Sequence, residues 1–143
     1  MTTSTKYAQV LRIVRPAERA PDAASGGIRR DAAISGALVG AEKIWFGFAE
    51  LGPSAVSAVH HHGDAESGIY IVSGDARFYT GAQLEHTEDA HEGDFVWVPP
   101  HVVHVEANLS TREPVRMVVA RSTQETLNFN LPTPEGWTPS LDR

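Results

Sequence analysis

His60-His61-His62-Gly63-Asp64-Ala65-Glu66 (HHHGDAE) is the stretch from which the rest of the chain can be read. His60 and His62 are two apart, so on an extended strand both imidazoles leave one face and His61 leaves the other. Gly63, Asp64 and Ala65 make a short bend able to bring the Glu66 carboxylate back toward the two rings. Two neutral imidazoles and one carboxylate suit a divalent first-row metal. A fourth donor must then come from elsewhere, and His104 is the candidate.

Outward from this stretch the pattern is β. Ala55–His62 puts Val56, Ala58, His60 and His62 on one face and Ser57, Val59 and His61 on the other. Lys43–Glu50 (KIWFGFAE) precedes it, closed by Gly52-Pro53, and Gly68–Ser73 (GIYIVS), closed by Gly74-Asp75, follows. Then come Ala76–Thr80 (ARFYT), a weak run at Gln83–Thr87, the acidic loop EDAHEGD and Phe95–Val98 (FVWV), which ends at Pro99-Pro100. Val102–Ala107 and Val115–Arg121 complete the set. That is about eight short strands with turn residues every eight to twelve positions, the pattern of an antiparallel sandwich or barrel. No segment sustains a helical apolar period. Val10–Val14 is expected as an edge strand, Pro16 to about Arg30 as a loop with a turn at Gly26-Gly27, and the Pro-containing tail from Asn128 as an outer wrap.

At 143 residues the length is that of one domain. The expected barrel core runs over about 43–121, with 1–42 as an N-terminal strand and loop and 122–143 as a C-terminal tail. A net charge of −6 argues against nucleic-acid and anionic-membrane partners, which need clustered Lys and Arg. No apolar run reaches bilayer length, and the N-terminus lacks a secretory pattern, so the cytoplasm is the default expectation. With no cysteine there is neither a thiolate nucleophile nor a sulfur ligand.

His104 lies on the strand after Pro99-Pro100, with Val102 and Glu106 on its face. Here the chain resembles a known family. Gly52…His60-x-His62-x3-Glu66…Gly74 is similar to the first cupin motif, and Gly93-Asp94-x4-Pro99-x-His101-x2-His104-x3-Asn108 to the second, with eighteen residues between Gly74 and Gly93. The resemblance implies a single-domain cupin jelly-roll β-barrel with His60, His62, Glu66 and His104 as metal ligands, and a homodimer as the assembly. Two departures concern the glycines: Gly52 lies two residues further from the first His than is usual, and Gly74 one further from Glu66. A third is His101, which replaces the glycine of the Pro-x-Gly turn and so either changes the turn or sits at the cavity mouth.

Other residues are weighed as follows. His61 reads as packed or supporting, and His86 and His91 as solvent-exposed. Glu106 either points inward as a general acid or base or lies past the rim in water, the latter being preferred. Tyr70, Phe78, Trp97, Trp45, Phe46 and Met117 compete for the inner wall, mostly as core.

Proteins of this family catalyse many reactions, so the site must choose among them. The first reading is a dioxygenase: iron(II) on three His and one Glu, with free positions for O2 and a small substrate bearing paired oxygens. The second is a redox-neutral lyase or dehydratase, isomerase or cyclase, in which the metal polarises a carbonyl and Glu106, His101 or Tyr70 supplies the base. The third is a non-catalytic small-molecule binder. Fe2+ suits the first reading; Mn2+, Ni2+, Zn2+ and Cu2+ are also compatible with the ligands.

Overall fold

Residues 10–142 are described in the structure, a computed structural model. In chain order the strands are β1 (Ala20–Ser25), β2 (Ile28–Ile34), β3 (Trp45–Leu51), β4 (His60–His61), β5 (Ser67–Ser73) and β6 (Ala76–Thr80). They continue with β7 (His86–Ala90), β8 (Phe95–Val98), β9 (His104–Asn108), β10 (Val115–Arg121) and β11 (Phe129–Asn130). One helix of four residues, α1 (Gly36–Val39), and a 3-10 turn at Pro16–Glu18 are the helical elements among the described residues. No helix there is long and apolar enough to cross a membrane.

The strands form two antiparallel sheets, ordered β1-β2-β3-β10-β5-β8 and β11-β4-β9-β6-β7. This is the jelly-roll arrangement, all-β as the turn spacing predicts. Between the sheets lies a core of Leu51, Ile69, Ile71, Phe78, Val115 and Met117. Each large apolar side chain so buried stabilises the fold by about 1.5–3 kcal/mol.

A second cluster lies on the other face of the smaller sheet. Val59, Tyr79, Leu84, Val105 and Ala107 are buried there, with Trp137 and Leu141 packed over them. The C-terminal tail is therefore an outer wrap. Trp137 meets Tyr79 edge-on at 5.1 Å, Leu131 N–H donates to the Val59 carbonyl at 2.8 Å, and Tyr79 donates its hydroxyl proton to the Ser140 carbonyl. The consequence is that β9 is buried on both faces along its whole length. Its apolar residues Val105 and Ala107 lie under the tail, while its polar residues alternate inward.

Three expectations are corrected near the N-terminus and in the middle of the chain. Val10–Val14 is not a strand; Val10, Leu11 and Ile13 are exposed, and among the described residues β1 takes the sheet edge. Pro16 to Arg30, expected as a loop, holds the β1-β2 hairpin. Its Ala, Asp and Pro have poor strand propensity, but β2 pairs with β3 along nearly its full length. Pro21 is tolerated because β1 is an edge strand that can lack a donor. Gly26 turns this hairpin at φ +60, where an added Cβ would sit 2.7 Å from the Ala58 nitrogen. Third, β7 begins at His86 and takes Glu88, Asp89 and Ala90 from the expected acidic loop, since each pairs with β6.

The end of β9 is tied down by Asn108, buried to 1% exposure. Its amide donates to the carbonyls of Leu51, Gly52 and Glu113, and its oxygen accepts from Ser110 N–H at 2.8 Å. Asn108→Ala leaves three carbonyls and one N–H without this partner. We expect it to lower stability by about 2–4 kcal/mol, read from the midpoint of urea unfolding.

Candidate metal centre

The centre begins with one cross-strand pair. His60 on β4 stands directly opposite His104 on β9, and their rings lie 4.3 Å apart. His62, two residues beyond His60, returns to the same side, with its ring 4.8 Å from that of His60 and 5.2 Å from that of His104. One ligand atom from each of the three lies within 4.8 Å of the other two, a spacing that could hold a metal ion.

Each ring is oriented by the backbone. His60 Nδ1 meets the Ala58 carbonyl at 2.7 Å, His62 Nδ1 the Leu127 carbonyl at 2.8 Å, and His104 Nδ1 the Val102 carbonyl at 2.9 Å. A carbonyl oxygen only accepts, so Nδ1 must carry the proton in all three. The neutral rings then present Nε2 lone pairs to the interior, the tautomer that a metal needs. His60 Nε2 and His104 Nε2 are buried without a hydrogen-bond partner. Buried acceptors left without a partner in this way fit a divalent cation.

Glu106 lies in the same place. It is 4% exposed, and its Oε1 is 3.4 Å from His104 Nε2, while its Oε2 is buried without a partner. The preferred expectation that it lay in water is thus corrected: the tail covers the strand that carries it, so β9 has not reached the rim. Ser57 locks the backbone here, its hydroxyl accepting from Glu106 N–H at 2.9 Å and its own N–H donating to the Glu106 carbonyl at 2.8 Å.

Electrostatics separates the three imidazoles. Burial pushes His62 down to about 4, against the opposing pull of its bond to the Leu127 carbonyl. Burial also lowers His60, more than the Glu106 charge raises it. For His104 burial again acts downward, but the neighbouring Glu106 carboxylate outweighs it and raises the ring. Burial would raise the Glu106 carboxyl, yet His104, His60 and Arg30 hold it down to about 2.

Glu66 is not brought to this group. It is exposed on the outer face, where its Oε2 accepts from the Trp97 indole at 3.2 Å. Ser67, one residue on, lines the interior instead. Tyr70, a candidate base, points out of the larger sheet and packs against Phe95 at 4.8 Å. His101 is also outside, its Nε2 against Asp64 Oδ1 at 2.7 Å. It keeps the left-handed conformation of the glycine it replaces, at φ +62. His61 stacks on Phe129 at 5.0 Å, in keeping with a packed role. Of the candidates for the inner wall, Trp45 and Met117 line the interior and Phe46 faces out.

Sequence reasoning missed several residues of the cavity wall. Arg30 and Arg121 are buried to 8% and 7% exposure and line the cavity with His62, His104 and Glu106. Arg121 lies over the Trp45 ring at 4.3 Å and donates to the Thr123 and Gln124 carbonyls. Thr126 and Asn128 close the cavity from the tail. The free space enclosed is about 30 Å3, room for one or two waters. An open groove of about 530 Å3 adjoins it, floored by Phe78, Trp97, Val98 and Val102, and His104 belongs to both walls.

Comparison with known proteins gives a consistent outline. A family model, the cupin domain, matches residues 47–121. None of the curated protein sequences matches. Among solved structures, the chain is similar to the polyketide cyclase RemF from Streptomyces resistomycificus, at 18% identity and a TM-score of 0.72 over 88% of this chain and 89% of that one. It is also similar to an S161A mutant of Bacillus subtilis oxalate decarboxylase OxdC, at 23% identity and a TM-score of 0.66, covering 80% of this chain but 30% of that one. An oxalate oxidase in complex with the substrate analogue glycolate follows at 15% identity and a TM-score of 0.63, over 74% and 56% of the two chains. The chain thus spans under two thirds of either oxalate enzyme, and these identities speak for the fold alone.

The neutral state of His62 makes a stability prediction. Its folded value of about 4 lies below the unfolded value of 6.5, so the unfolded chain binds more protons between them and stability falls as pH drops through that window. In chelator-treated protein the melting temperature should therefore decline from about pH 7 to about pH 4.5, and His62→Gln should flatten the decline.

Proposed function

Because the chain belongs to the cupin family, we propose that it is a divalent-metal-dependent enzyme acting on a small organic molecule. His60, His62 and His104 hold the ion. The observation that carries this reading is the set of three Nδ1–H bonds to backbone carbonyls, which leaves the Nε2 lone pairs directed into one buried space. Fixing the tautomer in advance removes a cost that loading would otherwise meet. The number of protein donors leaves coordination positions open, as a catalytic site requires and a structural site does not.

The finer reading is a dioxygenase-type oxidoreductase with Fe2+. When bound, that ion supplies open positions and electrons for O2 chemistry. The protein's part is the surroundings: Trp45, Val98 and Met117 make the wall apolar, and the groove of about 530 Å3 beside His104 is within the size range of small-molecule sites. Phe78, Val102 and Trp97 would hold an apolar or aromatic part of the substrate there. Arg30 and Arg121 bring positive charge to the cavity, which suits a substrate carrying anionic or strongly polarised oxygens. A homodimer belongs to this reading through the family resemblance.

One observation favours a second reading, a redox-neutral lyase, isomerase or cyclase using Mn2+, Ni2+, Zn2+ or Cu2+. A buried carboxylate, Glu106, stands beside the centre, where a general base would be placed.

The test is metal analysis of protein purified without chelator, then anaerobic Fe2+ reconstitution and O2 uptake with diketones and catechols. We expect near-stoichiometric metal and substrate-dependent O2 consumption. Turnover without O2 consumption would transfer the protein to the redox-neutral class. Failure to retain any metal after reconstitution would overturn the enzyme reading in favour of a non-catalytic binding protein.

A further inference from the structure

We propose that the anionic ligand of this centre is Glu106, contributed by β9, and that Glu66 takes no part in it. The inference rests on the metal-centre reading above and concerns which side chain completes it.

Strand register excludes Glu66. Ser67 pairs with Arg121 on β10 and with Val98 on β8, and the inward set that follows is Ser67, Ile69 and Ile71. Glu66 is one position out of phase and so faces away. Turning it inward within this strand would shift the alternation by one and send Ile69 and Ile71 to the outer face. The Glu66 carboxylate meanwhile has its own partner outside, the Trp97 indole at 3.2 Å.

Glu106 meets the requirements instead. It follows His104 by two on one strand, and so shares its face. Its Oε1 is 3.4 Å from His104 Nε2. Two donor atoms held about 2.1 Å from one ion at a tetrahedral angle lie about 3.4 Å apart. Its Oε2 is buried without a partner, as are His60 Nε2 and His104 Nε2. Asn128 Oδ1, on the cavity wall, is likewise buried without a partner, and unpartnered atoms gathered in this way share a simple remedy, a cation among them.

The side of the imidazole matters. A carboxylate that merely supports a ligating histidine bonds the ring nitrogen that does not bind the metal. In His104 that nitrogen is Nδ1, and the Val102 carbonyl already occupies it. Glu106 approaches Nε2, the metal side. As a ligand it also offsets part of the ion's charge in a wall that carries Arg30 and Arg121. A coordinated Glu106 is not a free base, which weighs toward the dioxygenase reading.

The experiment is Co2+ titration of wild type, Glu106→Gln, Glu106→Asp and Glu66→Gln against a competing chelator. The visible spectrum of each Co2+ complex is recorded, and circular dichroism is used to establish folding. We expect Glu106→Gln to weaken Co2+ binding at least about 100-fold and to shift the d–d bands. Glu106→Asp should recover part of the affinity, and Glu66→Gln should stay within about twofold of wild type. The converse pattern, with loss in Glu66→Gln and wild-type affinity and spectrum in Glu106→Gln, would overturn the proposal. Should Glu106→Gln fail to fold, Glu106→Asp decides: a shifted spectrum with weakened binding supports the proposal, and wild-type behaviour overturns it. Wild type that takes up no Co2+ would instead sink the metal-centre reading itself.

Discussion

Three carbonyl oxygens govern the chemistry available to this protein. Those of Ala58, Val102 and Leu127 each take the Nδ1 proton of one histidine, and by doing so they choose the tautomer. A histidine left to rotate would share its proton between two nitrogens and two ring orientations. Here the choice is made by backbone, which cannot ionise or swing away. Two of the carbonyls are local, each two residues before its histidine. The third reaches back from the tail, 65 residues later, so the tail belongs to the centre as well as to the outer wrap.

The same tail explains how a strand can carry a charge inward. On β9, Val105 and Ala107 bury under Trp137 and Leu141, while His104, Glu106 and Asn108 face the space between the sheets. Each inward polar group meets a specific answer: His104 and Glu106 meet each other, and Asn108 ties three carbonyls at the strand's end. An ionised carboxylate in such a place stands only because positive charge surrounds it. His104, His60 and Arg30 together hold the Glu106 carboxyl low against the burial that opposes it.

The legibility of the site divides along the same lines. The histidines were visible because strand parity is a local rule: His60 and His62 share a side, and His104 falls on the strand that meets them. Most β runs from Trp45 to Arg121 were visible for the same reason, although Ala55–His62 is a strand only at His60–His61 and the acidic stretch joins β7. The outward face of Glu66 was not legible locally, because the bend at Gly63 and the start of β5 set it, and β5 takes its phase from Ile69 and Ile71 packing against the opposite sheet. Pro16 to about Arg30 was read as loop because its residues have weak strand propensity, and the β1-β2 hairpin there derives its order from pairing with β3. Arg30 and Arg121 carried no signal at all, since an arginine on a strand is ordinarily a surface residue.

By itself, the sequence determined an all-β chain, its turns, and three histidines with the parity to converge, because each follows from alternation and turn chemistry over a few residues. The tertiary structure alone decided which carboxylate faces them, which carbonyls orient them and which arginines line the cavity. Those choices depend on strand register and on a tail folding back over β9, and both are set by the burial of apolar side chains far away in the chain.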